Sequence, residues 1–469
     1  MPPMRLKRIP LIVLLVTVLA CSFVTQNLDV LPPTPTATST VPATSTATAT
    51  QVYIPSDCDG TQLATLAPAT LLAPPTPAIQ ANPPVAPDLQ LKIFDETAQI
   101  ILDNYVYPDF NGKDWSAIVA SHRASIQAGL STKGFYEVMQ SLVEDLGDEH
   151  SRFDSPVEVA ESDAELNGTS QFVGIGVSIF TMADKNKLTI AGVFPGSPAE
   201  HAGLKVHDSI LAVDSFPVMQ GGQIYSSRIR GPECSAARLT VQSPGEASRD
   251  VMLLRHRIQG DIPIEAHLLP TTDGSHVGYI VLPSFYDEKI PQEVSAALQQ
   301  FGTLDGLILD NRTNFGGSSD IVDRVLSHFA AGTLGTFHSR TEARPLTIQP
   351  DPIANSQKVP LVVLVGLDTA SFGEISAGVL QDSGRARVVG ERTLGNVELL
   401  YAHGLTDGSR LWLAEERFDP AVSHANWEAT GIVPDVVAYA DWDTFTSDND
   451  PGIHAALRLL GHAAAGSPP

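Results

Sequence analysis

Asp368 to Asp382 reads DTASFGEISAGVLQD, and the rest of the chain is interpreted from it. The apolar run Val359 to Leu367 precedes this stretch, a small-residue turn carries one serine, Ser371, and Ile375, Val379 and Leu380 follow at helical spacing. That order predicts strand, turn and helix, with Ser371 at the turn. A hydroxyl there lies beside the free backbone N–H groups of a helix N-terminus, which suit a developing negative charge. Two readings stay open on this stretch alone. Ser371 is either a nucleophile or an ordinary helix cap, a position that serine favours.

To the N-terminal side, Leu307-Ile308-Leu309-Asp310 runs into Asn311-Arg312-Thr313-Asn314-Phe315-Gly316-Gly317, a strand ending in a glycine-rich loop. Glycine lets backbone N–H groups approach a substrate closely, so Gly316 or Gly317 can donate to an oxyanion alongside the N–H of Phe372. Strands are expected at Val277 to Leu282, Gly306 to Asp310, Leu361 to Leu367 and Arg387 to Gly390. Helices are expected at Ile290 to Phe301, Asp320 to Ala331 and Gly373 to Asp382. Their alternation gives an α/β core over residues 270–442. Residues 443–469 read as a C-terminal tail.

The chain has 469 residues, 43% of them hydrophobic, and a formal net charge of −24. That charge argues against nucleic-acid binding, since phosphate neutralisation needs a basic face. No His, Asp or Glu cluster has metal-ligand spacing and no glycine loop has the phosphate-cradling form, so no metal and no organic cofactor is expected. Residues 1–21 carry Arg5, Lys7 and Arg8, then the apolar run Ile9 to Ala20, then Cys21. This describes an export signal, with a run shorter than the ~20 residues a spanning helix needs. Val18-Leu19-Ala20-Cys21 resembles a bacterial lipobox, so Cys21 is the expected lipidation site, and plain secretion is the rival. Either way the expected location is extracytoplasmic. Cys58 and Cys234 could pair in such an oxidising compartment.

Residues 22–87 are rich in Pro, Thr, Ala and Ser and read as a disordered linker or stalk. Residues 88–160 show helical periodicity and close on Asp148-Glu149-His150-Ser151, where the bland reading of His150 is a cap or a core-packing histidine. Residues 170–258 turn to short β-runs. Gly174-Ile175-Gly176-Val177, Pro195-Gly196-Ser197-Pro198-Ala199, Ala202-Gly203-Leu204 and Asp208-Ser209-Ile210-Leu211 resemble, in order, the segments of a PDZ domain. The first would be its carboxylate-binding loop, able to hold a peptide C-terminus beside a free strand edge.

Taken together, the motifs resemble the carboxy-terminal processing, or tail-specific, serine peptidases. The helical cap ending in "D.H[ST]", the inserted PDZ domain, the "L.LD.R.N.GG" strand and the "[ST]AS..EI.AG.LQD" turn occur in the family's order. So do "G..T.G" at Gly390 to Gly395 and "G..PD" at Gly431 to Asp435. The resemblance covers residues 88–440 and implies an α/β peptidase core with an N-terminal helical cap and an inserted β-rich PDZ domain. It also implies peptide-bond hydrolysis through Ser371, with Gly316, Gly317 and Phe372 around the oxyanion and a polypeptide as substrate. Nothing in the motifs speaks to oligomeric state.

One family residue is absent. The lysine expected after the glycine of "G..T.G" is Asn396 here, a glutamine expected soon after is Leu400, and no lysine follows Lys358. A serine hydroxyl at its free pKa needs an adjacent proton acceptor. The tricorn core peptidase, which the chain also resembles, takes a histidine from the helical region and a glutamate before the "G..PD" exit. The matching residues are His150 and Glu428, which give an expected Ser371, His150, Glu428 relay. His403, His424 and Glu398 are the rival bases. The alternative is a catalytically silent, PDZ-containing peptide-binding scaffold; a hydrolase or transferase of non-protein acyl groups is a third reading.

Overall fold

The computed structural model describes residues 52–58, 81–148, 150–166, 172–220, 223–225, 228–258, 262–439 and 441–465. The expected export signal, Cys21 and most of the linker lie outside the described residues. No helix among the described residues is long and apolar enough to cross a membrane.

The core is a six-stranded sheet in the order Glu265–Leu269, Val277–Val281, Gly306–Asp310, Leu361–Val365, Arg387–Gly390, Val436–Val437. The first strand is antiparallel to the second and the remaining pairings are parallel. Side chains alternate between two covered faces. Leu307, Leu309, Val363 and Val365 pack with the helices Ile290–Phe301, Ser319–Leu326 and Phe372–Asp382. Ile308, Val362, Leu364 and Val389 pack with Ile453, Ala456 and Leu457. Burial on both faces is why these strands are unbroken apolar runs rather than alternating ones.

Those last three residues belong to a helix, Pro451–Leu460, in the segment read from sequence as a tail. Asp450 caps it by accepting from Gly452 N–H at 2.7 Å and Ile453 N–H at 3.2 Å. The same carboxylate takes two bonds from buried Arg312, at 3.0 and 2.7 Å, and Arg312 also binds Asp310. Tyr279 Oη donates to Asp310 at 2.6 Å. This segment is therefore the second cover of the sheet. Each buried Leu or Ile stabilises by about 1.5–3 kcal/mol, so the loss of the helix would uncover several such contributions at once.

A second sheet is organised by the long strand Arg410–Pro420. Arg152–Asp154 and Leu399–Gly404 pair with its N-terminal half on opposite edges, and Gly332–His338 pairs with its C-terminal end. Leu411, Leu413 and Ala414 bury into the core of the helical domain, against Phe94, Tyr105, Phe135 and Met139 of the helices Pro87–Asn104 and Thr132–Glu144 or the loop between them. The helical domain is thus bound to the core through one shared strand.

The β-rich region has its own apolar cluster around Ile190, Ile210 and Leu239, within a sheet ordered Arg249–Leu254, Ala236–Gln242, Ser209–Val213, Lys187–Val193, Val177–Met182. Val177–Met182 ends that order, and its outer edge is unpaired among the described residues. Cys58 and Cys234 form a disulfide with Cα atoms 5.5 Å apart. Lys185 and Lys187 pair with Asp443, and His207 stacks on Trp442 at 4.5 Å, which fastens this region to the segment leading into the C-terminal helix.

Candidate active site

Ser371 occupies the N-cap position of the helix Phe372–Asp382, yet its backbone lies at φ 53° and its side chain makes no capping bond. A capping serine has extended backbone and turns its oxygen onto the helix N–H groups. The left-handed φ costs energy for a residue with a Cβ, and here it turns the hydroxyl out of the capping role. The turn is held by its neighbours: Ser371 N–H donates to the carbonyl of Asn396 at 2.7 Å and Ala370 N–H to that of Asn314 at 3.0 Å.

The glycine loop meets the serine because the two parent strands are adjacent and parallel, so both loops leave the same edge of the sheet. A Cβ on Gly316 would stand 2.7 Å from Ser371 Cβ and 3.1 Å from Phe372 N. Only glycine allows that approach, and its φ of 100° also favours glycine. The Gly316 N–H, however, already donates to Asn314 Oδ1 at 3.0 Å. Of the three residues expected around the oxyanion, Gly316 therefore supplies close approach rather than a free donor. Among the described residues the Phe372 N–H has no partner, as expected for the first residue of a helix.

Glu374, one turn into the helix, was not singled out by sequence reasoning, although it lies inside the quoted stretch. It is fully buried and accepts from Thr393 Oγ1, from Gly395 N–H at 2.9 Å and from Asn396 N–H at 2.7 Å. Burial raises its pKa while these donors hold it back. The carboxylate thus locks the 393–396 hairpin against the serine turn. Asn396 stands where the family lysine was expected, and its backbone bonds to Glu374 on one side and to Ser371 N–H on the other.

His150 is 13% exposed, and Asp148 Oδ1 fixes its loop by accepting the N–H groups of His150 at 3.0 Å and Ser151 at 2.5 Å. Ser151 Oγ donates to Asp148 and accepts from Ala414 N–H at 3.0 Å, which anchors the loop to the long strand. Burial, opposed chiefly by Asp148, lowers His150 to about 4, so the imidazole is neutral near pH 7. The carboxylate facing it is Glu398, with Oε2 3.9 Å from Nδ1. Glu398 Oε1 accepts from Tyr107 Oη at 2.6 Å.

The structure does not bring Glu428 to His150 as the expected relay requires. Glu428 Oε2 accepts from Val397 N–H at 2.9 Å, and burial followed by the neighbouring Glu398 pushes its carboxyl up to about 9. Its carboxyl neighbours that of Glu398, and the proximity of the two favours the protonated form of one of them. No hydrogen bond joins Ser371 Oγ to either residue in this state among the described residues. The rival histidines are committed elsewhere: His403 Nε2 to Glu415 at 2.5 Å, and exposed His424 Nδ1 to Asp419 at 3.1 Å. A cavity of about 260 Å³ opens beside Tyr107, Glu398, Phe418, Asn426 and Glu428.

The Gly174-Ile175-Gly176-Val177 loop is packed under the turn that follows Val193. The Ile175 carbonyl accepts from Ala199 N–H at 2.9 Å and the Gly176 carbonyl from Phe194 N–H at 3.0 Å. Gly174 pairs with His256, and Val177 opens the strand Val177–Met182. Asp57, Cys58 and His256 come close together, but Cys58 is consumed by the disulfide.

The profile of peptidase family S41 matches residues 276–438, and that of the tricorn protease C1 domain matches residues 91–144. A carboxyl-terminal-processing protease of Picosynechococcus is 30% identical over 373 residues, spanning 76% of this chain and 86% of the relative. A protein of the same description from Synechocystis is 29% identical over 387 residues, spanning 79% and 86%. The solved photosystem II D1 C-terminal processing protease superposes with a TM-score of 0.54 at 24% identity, over 78% of this chain and 97% of that one, a likeness of fold.

Proposed function

The chain belongs to peptidase family S41, among the carboxyl-terminal-processing proteases, and from that premise we propose that it hydrolyses polypeptides through Ser371 with His150 in place of a lysine base. The carrying observation is the serine turn, whose hydroxyl is released from helix capping by a left-handed backbone. The Ser371 proton passes to His150 Nε2 as Oγ bonds to the scissile carbonyl carbon, and the Phe372 N–H stabilises the oxyanion. His150 then returns the proton to the leaving amine as the C–N bond breaks. Water repeats the sequence, cleaving the acyl ester to a carboxylic acid and free Ser371.

Phe315, Leu367 and Leu394 are 56%, 54% and 60% exposed on the loops that carry the site, which favours apolar side chains near the scissile bond. The edge of Val177–Met182, unpaired among the described residues, supports recognition of an extended peptide, including its C-terminus, by a PDZ-type strand addition. Export, with Cys21 as a lipid anchor, accords with a Cys58 to Cys234 disulfide. A scaffold without hydrolysis is the second reading, favoured by Asn396 and by the separation of Ser371 from any imidazole bond.

A fluorophosphonate probe decides between them. Labelling that vanishes in Ser371→Ala, with turnover of a denatured protein substrate lost in the same variant, supports the peptidase. Peptide binding without labelling supports the scaffold. His150→Ala is expected to lower turnover by about 10²–10⁴ while retaining the fold; unchanged turnover would remove His150 as the base.

A further inference from the structure

We propose that Glu398 is the positioning residue for His150, accepting its Nδ1–H so that Nε2 faces the Ser371 hydroxyl as proton acceptor. The inference rests on the reading of His150 as the base. It replaces the Glu428 of the expected relay by a residue outside the motifs quoted above.

Two orphan atoms carry the argument. Among the buried side-chain polar atoms of the described residues, His150 Nδ1 and Glu398 Oε2 are without a hydrogen-bond partner, and they face each other at 3.9 Å. Glu398 is 1% exposed. Buried polar groups are normally satisfied, and an unsatisfied pair at a catalytic site is a candidate for a bond that tightens when substrate binds. An approach of about 1 Å would bring the pair into hydrogen-bond range.

The architecture makes that approach a small one. Arg152–Asp154, just after His150, and Leu399–Gly404, just after Glu398, both pair with the strand Arg410–Pro420. Trp412 is opposite Arg152 on one edge and Ala402 on the other. His150 and Glu398 thus project from the ends of two strands held by the same central strand. Tyr107 fixes Glu398 Oε1 at 2.6 Å, which leaves Oε2 as the oxygen available to the imidazole.

The other charged groups near His150 are committed. Asp148 is occupied by the N–H groups of His150 and Ser151 and by Ser151 Oγ. Arg152 pairs with Asp154 at 3.4 Å and covers the Trp412 ring. Glu428 Oε2 accepts from Val397 N–H, and its carboxyl also lies within hydrogen-bonding reach of Glu398, whose oxygens it shares with Tyr107 and the imidazole. Once Nδ1–H donates to Glu398, the imidazole has one defined tautomer, and the positive charge it gains from Ser371 is balanced by an adjacent carboxylate. Without that carboxylate, a buried imidazole resists taking the proton.

The test uses the full chain and a fluorogenic polypeptide substrate, with kcat and KM measured separately and the rate of fluorophosphonate labelling followed. Glu398→Gln preserves shape and removes the charge. It is expected to lower kcat and the labelling rate by about 10²–10⁴ with KM within about threefold. Glu398→Asp should recover part of the loss, and Glu428→Gln should cost at least tenfold less than Glu398→Gln. A low-field imidazole N–H proton resonance in the labelled parent should disappear in Glu398→Gln.

If Glu398→Gln does not fold, Tyr107→Phe serves instead. It frees Oε1 while keeping the carboxylate, and is expected to lower kcat about tenfold with KM unchanged. A folded Glu398→Gln that retains kcat within threefold, a Glu428→Gln at least as damaging, or an unaffected Tyr107→Phe overturns the assignment. Its failure is separable from failure of the base reading: an inactive His150→Ala beside an active Glu398→Gln removes Glu398 alone, whereas an active His150→Ala removes both.

Discussion

The two halves of the proposed site are built differently. The nucleophile half, Ser371 with Phe372 and Gly316, leaves two neighbouring parallel strands of one sheet whose side chains are buried on both faces. Its contacts are tight at rest, down to the 2.7 Å bond from Ser371 N–H to the Asn396 carbonyl. The base half comes from four remote stretches, those of Tyr107, His150, Glu398 and Glu428, joined across the helical domain and a long antiparallel strand. Here the decisive gap is 3.9 Å. The contrast teaches that the serine turn is preorganised while its proposed proton acceptor is only poised, so in the proposed mechanism the cost of completing the site falls on the helical side.

The largest expected effect within this comparison comes from loosening the rigid half. Gly316→Ala introduces a Cβ 2.7 Å from Ser371 Cβ at a φ of 100°, so either the loop or the serine must move. Because a misplacement of about 1 Å can cost about 10²-fold, kcat should fall by about 10²–10³ with the fold retained. Unchanged kcat would mean that the loop is more pliable than its contacts indicate, and the contrast between the halves would fail.

How much of this was legible follows the same division. The serine turn, its flanking strands and the glycine loop were readable because apolar runs, small-residue turns and helical spacing are local signals. Ser371 itself was not resolved between cap and nucleophile by sequence, since the distinction is a backbone angle. The strand Arg410–Pro420 was missed because Glu415 and Glu416 interrupt its apolar alternation. Those two are satisfied only in three dimensions, by His403 and Arg344. The C-terminal helix was missed despite its Asp450-Pro451 start, and its reason for existing is the remote Arg312 and the bare face of the sheet. Glu398 was visible only as a rival base, because its relation to His150 arises from two strands sharing a partner.

A middle-sized effect tests the join between the halves. Glu374 ties the 393–396 hairpin to the nucleophile helix, so Glu374→Ala leaves the N–H groups of Gly395 and Asn396 and the Thr393 hydroxyl without their acceptor. Buried unsatisfied groups cost about 1–3 kcal/mol each, and partial relaxation makes a total loss of about 3–4 kcal/mol the expected outcome in urea unfolding. Turnover should fall as well, since Asn396 positions Ser371. A stability loss with full activity would show that the serine turn keeps its shape without the hairpin.

The smallest effect concerns the acid behind the base half. Burial, then Glu398, raises Glu428 to about 9 from an ordinary value of 4.5, so the folded chain retains a proton that the unfolded chain releases. The stability contributed by this neutral carboxyl is fully present below about 4.5 and is lost as the pH rises toward about 9. Glu428→Gln cannot titrate, so its melting temperature should gain on that of the parent between pH 5 and 9, by a few degrees for each ~1–2 kcal/mol of linkage. Parallel melting curves for the two proteins across that range would mean that Glu428 is ionised in the folded state. A second anion beside Glu398 would then have to share the imidazole, and the poised half would have two carboxylates to choose from instead of one.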